Sequence, residues 1–189
     1  MLGQGWTTSD SDEAAEKLRD LFDTHAHSVF FGGAGVSTAS GIPDFRSADG
    51  LYSQRFAYPP ETMLSHSFYE AHPADFFAFY RERMICLAAR PNRAHLKLAE
   101  LEREGHLAAV VTQNIDGLHQ MAGSREVHEL HGSVHRNVCR GCGAVYPAEW
   151  VLAHGGVPRC EKCGGLVKPD VVLYEEGLDE EVLSGAVDA

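Results

Sequence analysis

Four of the five cysteines fall in two pairs, Cys139-x-x-Cys142 and, after 17 intervening residues, Cys160-x-x-Cys163. Thiolates at this spacing suit tetrahedral zinc, each pair forming a knuckle beside a glycine such as Gly141, Gly143 or Gly164. Two disulfides, or four unrelated cysteines, are the competing readings. The opening stretch, MLGQGWTTSDSDEAAEK, has neither a basic n-region nor an apolar h-region, and without a secretory signal metal is favoured over disulfides. Four cysteines fill a coordination sphere, so one zinc held here is expected to be structural, stabilising a module too small to bury its own core. Cys86 lies in an apolar, helix-like stretch and reads as a core residue.

Three polar clusters follow short apolar runs. In the first, Gly33-Ala34-Gly35-Val36-Ser37 leads into Gly41-Ile42-Pro43-Asp44-Phe45-Arg46. Glycines at a strand's carboxyl end let backbone amides approach a pyrophosphate. Thr38 stands where the third glycine of G-x-G-x-x-G would be, so the pair alone reads equally as a tight turn. Arg46 and Phe45 beside a phosphate-sized pocket would pair with charge and cover a ring; otherwise they are a surface ion pair and a core side chain. The second cluster is Thr112-Gln113-Asn114-Ile115-Asp116-Gly117-Leu118-His119. Asn114 and Asp116 suit an amide and a water or hydroxyl, or else an Asn/Asp-rich capped turn. The third is His131-Gly132-Ser133, where His131 has the chemistry of a general base. It is one of eleven histidines, and only its place after a strand end, as with the other two clusters, singles it out.

The elements that must position these groups follow from periodicity. Residues 13–25 read as a helix with Leu18, Leu21 and Phe22 on one face, capped by Ser11 or Asp12. Runs at 28–31, 107–111, 127–130 and 170–174 read as short buried strands. Residues 74–90 read as a helix broken by Pro91, and Asn92 can cap a second helix closing at Gly105. Strands separated by helices predict an α/β fold with a parallel sheet. Residues 135–165 interrupt that alternation and read as a separate small module.

The 189 residues carry 16 Lys+Arg against 27 Asp+Glu, a formal charge of −11, with 44% apolar residues. Six acids and no Lys or Arg fall in residues 175–189. Such a balance disfavours nucleic acid as a partner and admits a basic peptide, although solubility explains it equally well. No apolar run is long enough to span a bilayer, so a soluble, cytoplasmic protein without a membrane partner is expected.

GAGVSTASGIPDFR, TQNIDGLH, HGSVH and the two CxxC pairs, in this order, resemble the sirtuin family of NAD-dependent protein deacylases, from about Val29 to Tyr174. The resemblance implies a Rossmann-type NAD domain over 12–134 and 166–189 with a helical insertion at 51–92, and a zinc module at 135–165. A cleft between them would take an acylated lysine of a protein or peptide. Carried over by position, Gly33, Ala34, Gly35, Thr38, Asp44, Phe45 and Arg46 would bind NAD. Gln113, Asn114, Ile115 and Asp116 would form the nicotinamide and ribose pocket. His131 would be the general base, with Asn114 and Asp116 catalytic beside it, and Cys139, Cys142, Cys160 and Cys163 would hold zinc. The acyl group would pass to ADP-ribose, releasing nicotinamide and free lysine.

Val171, Val172, Leu173 and Tyr174 match the family's peptide-docking strand, though Glu175 replaces the glycine that usually follows the aromatic. Tyr80 and Arg83 have the Tyr-x-x-Arg spacing of relatives that remove succinyl or malonyl groups; the plain alternative is a core aromatic beside a solvated Arg. The family's later Gly-Thr/Ser-Ser-Leu loop and Asn, which hold the adenosine side, are absent, so a C-terminally truncated chain with poor NAD affinity is expected. The alternative function is a non-enzymatic zinc-module protein that binds a peptide or partner.

Overall fold

The computed structural model describes residues 7–25, 27–48, 50–53 and 56–189. Residues 1–6, part of the stretch read for a secretory signal, and 54–55 of the expected insertion lie outside the described residues.

Helix α1 (Ser11–Thr24) is capped one residue earlier than expected. The Asp10 carboxylate accepts from the amides of Asp12 (2.9 Å) and Glu13 (3.1 Å), which Ser11 or Asp12 cannot do from inside the first turn. Leu18 and Leu21 stay 48% and 40% exposed, while Phe22 packs toward Leu98, Leu107 and Val110. Strands β1 (Val29–Gly32), β2 (Ala109–Thr112) and β3 (Val127–Glu129) form a parallel sheet in the order β1-β2-β3. Central β2 is buried throughout, as its continuous Ala-Val-Val-Thr run requires. Edge strand β1 leaves Phe31 62% exposed.

Between β1 and β2 lies a helical insertion, α2 (Pro60–Met63), α3 (His66–Ala71) and α4 (Pro73–Phe79), followed by α5 (Arg93–Arg103). Phe68, Tyr69, Phe76, Phe77, Phe79 and Tyr80 build its core. The helix expected over 74–90 stops early. A single π turn at Tyr80–Met84 follows α4, and Ile85 turns to extended backbone. The wider turn, closed by Ile85 N–H on the Tyr80 carbonyl (3.2 Å), lets both Tyr80 and Ile85 enter the core. Cys86 therefore lies beyond the helix and half-buried, its thiol pushed up by burial. Asn92 caps α5 as expected, and His95 closes a capping box by accepting from the Asn92 amide at 3.2 Å. After β2 comes α6 (Leu118–Ala122).

A second, antiparallel sheet contains β4 (Gly132–Cys139), β5 (Val145–Tyr146) and β6 (Val167–Val171) in the order β5-β4-β6, with α7 (Ala148–Ala153) packed against it. Of the fourth parallel strand expected over 170–174, only Asp170 and Val171 lie in a strand, β6 at the edge of the cysteine-bearing sheet; beyond it Tyr174 makes a single bridge to Ser65. Pro169 fits that edge, having no N–H to give a second neighbour. Asp179 caps α8 (Glu180–Asp188), which packs on β3. The whole is a Rossmann-like α/β architecture joined to a cysteine-bearing sheet. Among the described residues no helix is long and apolar enough to cross a membrane.

Candidate active site and cysteine cluster

The three polar clusters converge at the carboxyl ends of adjacent parallel strands. Gln113 N–H donates to the Gly32 carbonyl (3.0 Å) and Leu130 N–H to that of Thr112 (2.9 Å), so the loops after β1, β2 and β3 emerge side by side. Open α/β sheets bind ligands at such an edge.

Fully buried Ser37 is the hub. Its hydroxyl donates to Asp116 Oδ2 at 2.7 Å and accepts from Asn114 Nδ2 at 3.1 Å, with His95 Nε2 3.5 Å away. Leu118 N–H fixes the other Asp116 oxygen at 2.9 Å, and His135 Nε2 donates to the Asp116 carbonyl at 3.1 Å. Asn114 is held by its own amide on Thr112 Oγ1 (3.0 Å). In the sequence Ser37 stands only within the glycine loop and His135 only as the end of HGSVH, while His95 lies in none of the motifs. The single signal for His95 is its place three residues after the Asn92 cap.

His119 packs edge-on to His95 at 4.8 Å, and neither ring nitrogen is hydrogen-bonded among the described residues. Burial, reinforced by His95, pushes its pKa down to about 4. Burial also lowers the pKa of His95, against the pull of Asp116.

His131 sits between β3 and β4, half-buried, its carbonyl accepting from Val172 N–H at 3.0 Å. Its ring makes no hydrogen bond within the described residues. The next residue must be glycine: Gly132 has φ +73°, and a Cβ there would lie 2.0 Å from the Asp170 carbonyl oxygen on β6.

Beyond the glycine loop, Asp44 Oδ1 accepts from the amides of Ser47 (2.8 Å) and Arg46 (3.1 Å), and the Ser47 contact holds its carboxyl below the usual range. A cavity of about 320 Å³ is lined by Thr38, Gly41, Ile42, Pro43, Asp44 and Ser47. The Phe45 ring meets Tyr52 edge-on (5.5 Å), the Tyr52 hydroxyl contacts that of Tyr174, and Arg46 is exposed. Beside the turn, a Cβ on Gly35 would meet nothing within 4 Å and one on Gly33 only Gln113 Oε1 at 3.5 Å. Both glycines therefore face open space.

Tyr80 is buried with its ring stacked on Phe76, and Arg83 lies over the Phe56 ring (5.4 Å) while pairing with Glu82 (2.9 Å). Among the described residues no hydrogen bond joins Tyr80 to Arg83, and Tyr80 Oη and Arg83 Nε are both buried without partners.

The sulfurs of Cys139, Cys142, Cys160 and Cys163 all lie within 4.8 Å of one another, a set that fits one tetrahedral zinc. The amides of Gly141 and Gly165 reach Cys139 Sγ (3.3 Å) and Cys163 Sγ (3.4 Å), and Tyr146 Oη lies 3.2 Å from Cys160 Sγ. That hydroxyl lowers the Cys160 thiol pKa, favouring the thiolate a metal needs.

Residues 33–188 match the model of the Sir2 family. The chain belongs to that family. Similar proteins include an NAD-dependent protein deacetylase of Clostridium acetobutylicum, 57% identical over 180 residues, which cover 92% of this chain and 74% of that protein. Another, from Cutibacterium acnes, is 54% identical over 176 residues, covering 92% of this chain and 72% of the relative. Among solved structures, a Sir2 with deacetylated p53 peptide and 3'-O-acetyl ADP ribose superimposes with TM-score 0.84 at 38% identity, covering 92% of this chain and 70% of that one. A Sir2–p53 peptide–NAD+ complex gives 0.79 at 40% identity, covering the same 92% and 70%. These Sir2 proteins share the Rossmann-like frame that here carries Ser37, Asn114, Asp116 and His131.

Proposed function

We propose that this Sir2-family chain is an NAD-dependent protein-lysine deacetylase. One observation carries the reading: in a chain 57% identical to a deacetylase, the Ser37–Asn114–Asp116 hub and the uncommitted His131 ring share one sheet edge. NAD, when bound, supplies a ribose carbon activated by nicotinamide and the ADP-ribose that accepts the acyl group. Gly33, Ala34, Gly35, Thr38 and Arg46 would hold its phosphates, the open space beside the glycines and the exposed guanidinium suiting that charge, while Asp44 would line the same cofactor site away from them. Gln113, Asn114, Ile115 and Asp116 would orient the nicotinamide amide and ribose. Asp116 suits this role because both oxygens are fixed beforehand by Ser37 and the Leu118 amide. His131 accepts a proton on a ring nitrogen from a hydroxyl brought to it. Phe45 excludes water from the reacting face. The four cysteines would hold zinc for structure alone, since they complete its coordination.

Along the proposed docking segment many backbone groups are already committed. Val172 N–H donates to the His131 carbonyl, Tyr174 N–H to that of Leu64, and Leu173 N–H to Glu176 Oε2. The Val172 carbonyl and the N–H and C=O of Glu175 have no partner within the described residues. These are the groups through which an extended acyl-peptide would add as a strand. The partnerless Tyr80 Oη and Arg83 Nε support a second reading on the acyl group, in which a succinyl carboxylate is also accepted.

The test is turnover by the 189-residue chain with NAD and an acetyl-lysine peptide, followed by mass spectrometry. Nicotinamide and O-acetyl-ADP-ribose are expected, with a loss on the order of 10²-fold or more in His131→Ala. Peptide binding without nicotinamide release would instead identify a non-enzymatic peptide-binding module. A succinyl-lysine peptide run in parallel decides the second reading: turnover that falls in Arg83→Met while acetyl turnover is kept supports it.

A further inference from the structure

Glu175 is the one non-glycine among the described residues with positive φ, at +77°. An L side chain is strained there, and such strain persists only where surrounding contacts enforce it. The enforcing contacts come from α3: Glu175 Oε2 accepts from the Ser67 amide (2.9 Å) and Oε1 from the Ser67 hydroxyl (3.0 Å). Neighbouring residues are fastened to α3 and to the turn that precedes it. Tyr174 N–H donates to the Leu64 carbonyl (3.0 Å), His66 N–H to that of Tyr174 (3.0 Å), and Glu176 Oε1 meets His66 Nδ1 at 2.7 Å. The helix already has a cap in Ser65, whose hydroxyl accepts from Phe68 N–H at 3.2 Å. End-capping alone therefore does not explain why a strained glutamate stands where glycine would sit without strain.

Resting on the reading of 171–174 as the peptide-docking segment, we propose that Glu175 is a positioning residue for the acyl-peptide. Its carboxylate, clamped on Ser67, holds residue 175 in the left-handed conformation. The unpartnered Val172 carbonyl and Glu175 N–H and C=O are thereby preset as one edge for an extended substrate strand. Ordering this edge before the peptide arrives removes an entropic cost from binding. Glycine here would adopt the same φ but also many others, and the edge would have to be ordered at each encounter.

The test compares acetyl-lysine peptide affinity, by calorimetry, of the wild type with Glu175→Gly, Glu175→Ala and Glu175→Gln, alongside thermal midpoints. The Gly and Ala variants are expected to bind roughly tenfold more weakly, about the worth of one charge-assisted hydrogen bond. Gln keeps an acceptor for Ser67 and should stay within about threefold. In turnover assays the loss should appear in KM for peptide, with kcat and KM for NAD unchanged. A purely structural role would shift thermal midpoints and leave peptide affinity alone. Wild-type affinity in Glu175→Gly overturns the proposal, and so does a Gln variant as weak as Gly, which would mean charge attraction rather than a clamp. Wild type that binds peptide but releases no nicotinamide overturns the deacetylase reading alone, and the affinity series still decides the clamp. Wild type that binds no acyl-peptide overturns both.

Discussion

Both oxygens of Asp116 are hydrogen-bonded within the fold, and the Ser37 that holds one of them is itself held by Asn114. Next to this hub lie two histidines whose burial disfavours charge. His119 makes the consequence measurable. Between its ordinary value of 6.5 and its folded value of about 4, the unfolded chain takes up a proton that the folded chain refuses. Its contribution is therefore complete above pH 6.5 and drains away as pH falls toward 4. Urea midpoints should fall from pH 7 to pH 4.5 in the wild type and fall less in His119→Phe, which removes the titrating ring. At this scale the sequence was readable where spacing alone specifies chemistry, as for the four cysteines. It was silent on Ser37, His95 and His135 because their roles arise from hydrogen bonds spanning 58, 79 and 19 residues.

Strands β1 and β2 were legible because each lies in an apolar run ending in glycine or polar residues, whereas β3, Val-His-Glu, was signalled more weakly. β6 was legible only at its end, residues 170–171 of the expected 170–174, and misread as to sheet: an apolar run does not say which neighbour it pairs with, and Pro169 was the overlooked edge signal. The end of α4 was hidden for another reason, since residues 80–85 have helical composition and only the demand that Tyr80 and Ile85 share one core opens the π turn. The turn from β3 into β4 supplies the element-scale prediction. Gly132→Ala combines a left-handed φ with a Cβ 2.0 Å from the Asp170 oxygen, so β4 must part from β6 beside His131. A loss of about 2–4 kcal/mol in chemical denaturation is expected, with reduced turnover, because the displaced residue adjoins the proposed base.

Across the molecule the cysteine-bearing sheet is tied to the helical insertion by ion pairs. Arg140, within the first knuckle, meets Glu70 of α3, and Lys168 of β6 meets Glu176 at 3.0 Å, the carboxylate that also holds His66. Zinc at the four cysteines would thus support the docking segment at a distance while leaving the parallel sheet's own contacts untouched. Removing the metal with a chelator should strip amide-exchange protection from 132–171 and weaken acetyl-peptide binding, while β1 and β2 remain protected. Simultaneous loss of protection in both sheets would show a single cooperative unit instead.

The pairing partners also differ in how far apart they lie along the chain. Asn137 pairs with Tyr146 and Pro169, whereas Val29 reaches Ala109 across 80 residues. Closing the longer loop costs more chain entropy before any contact repays it. The pairings of β4 therefore cost less chain entropy to close than the β1–β2 pairing beside which Ser37 and Asn114 sit.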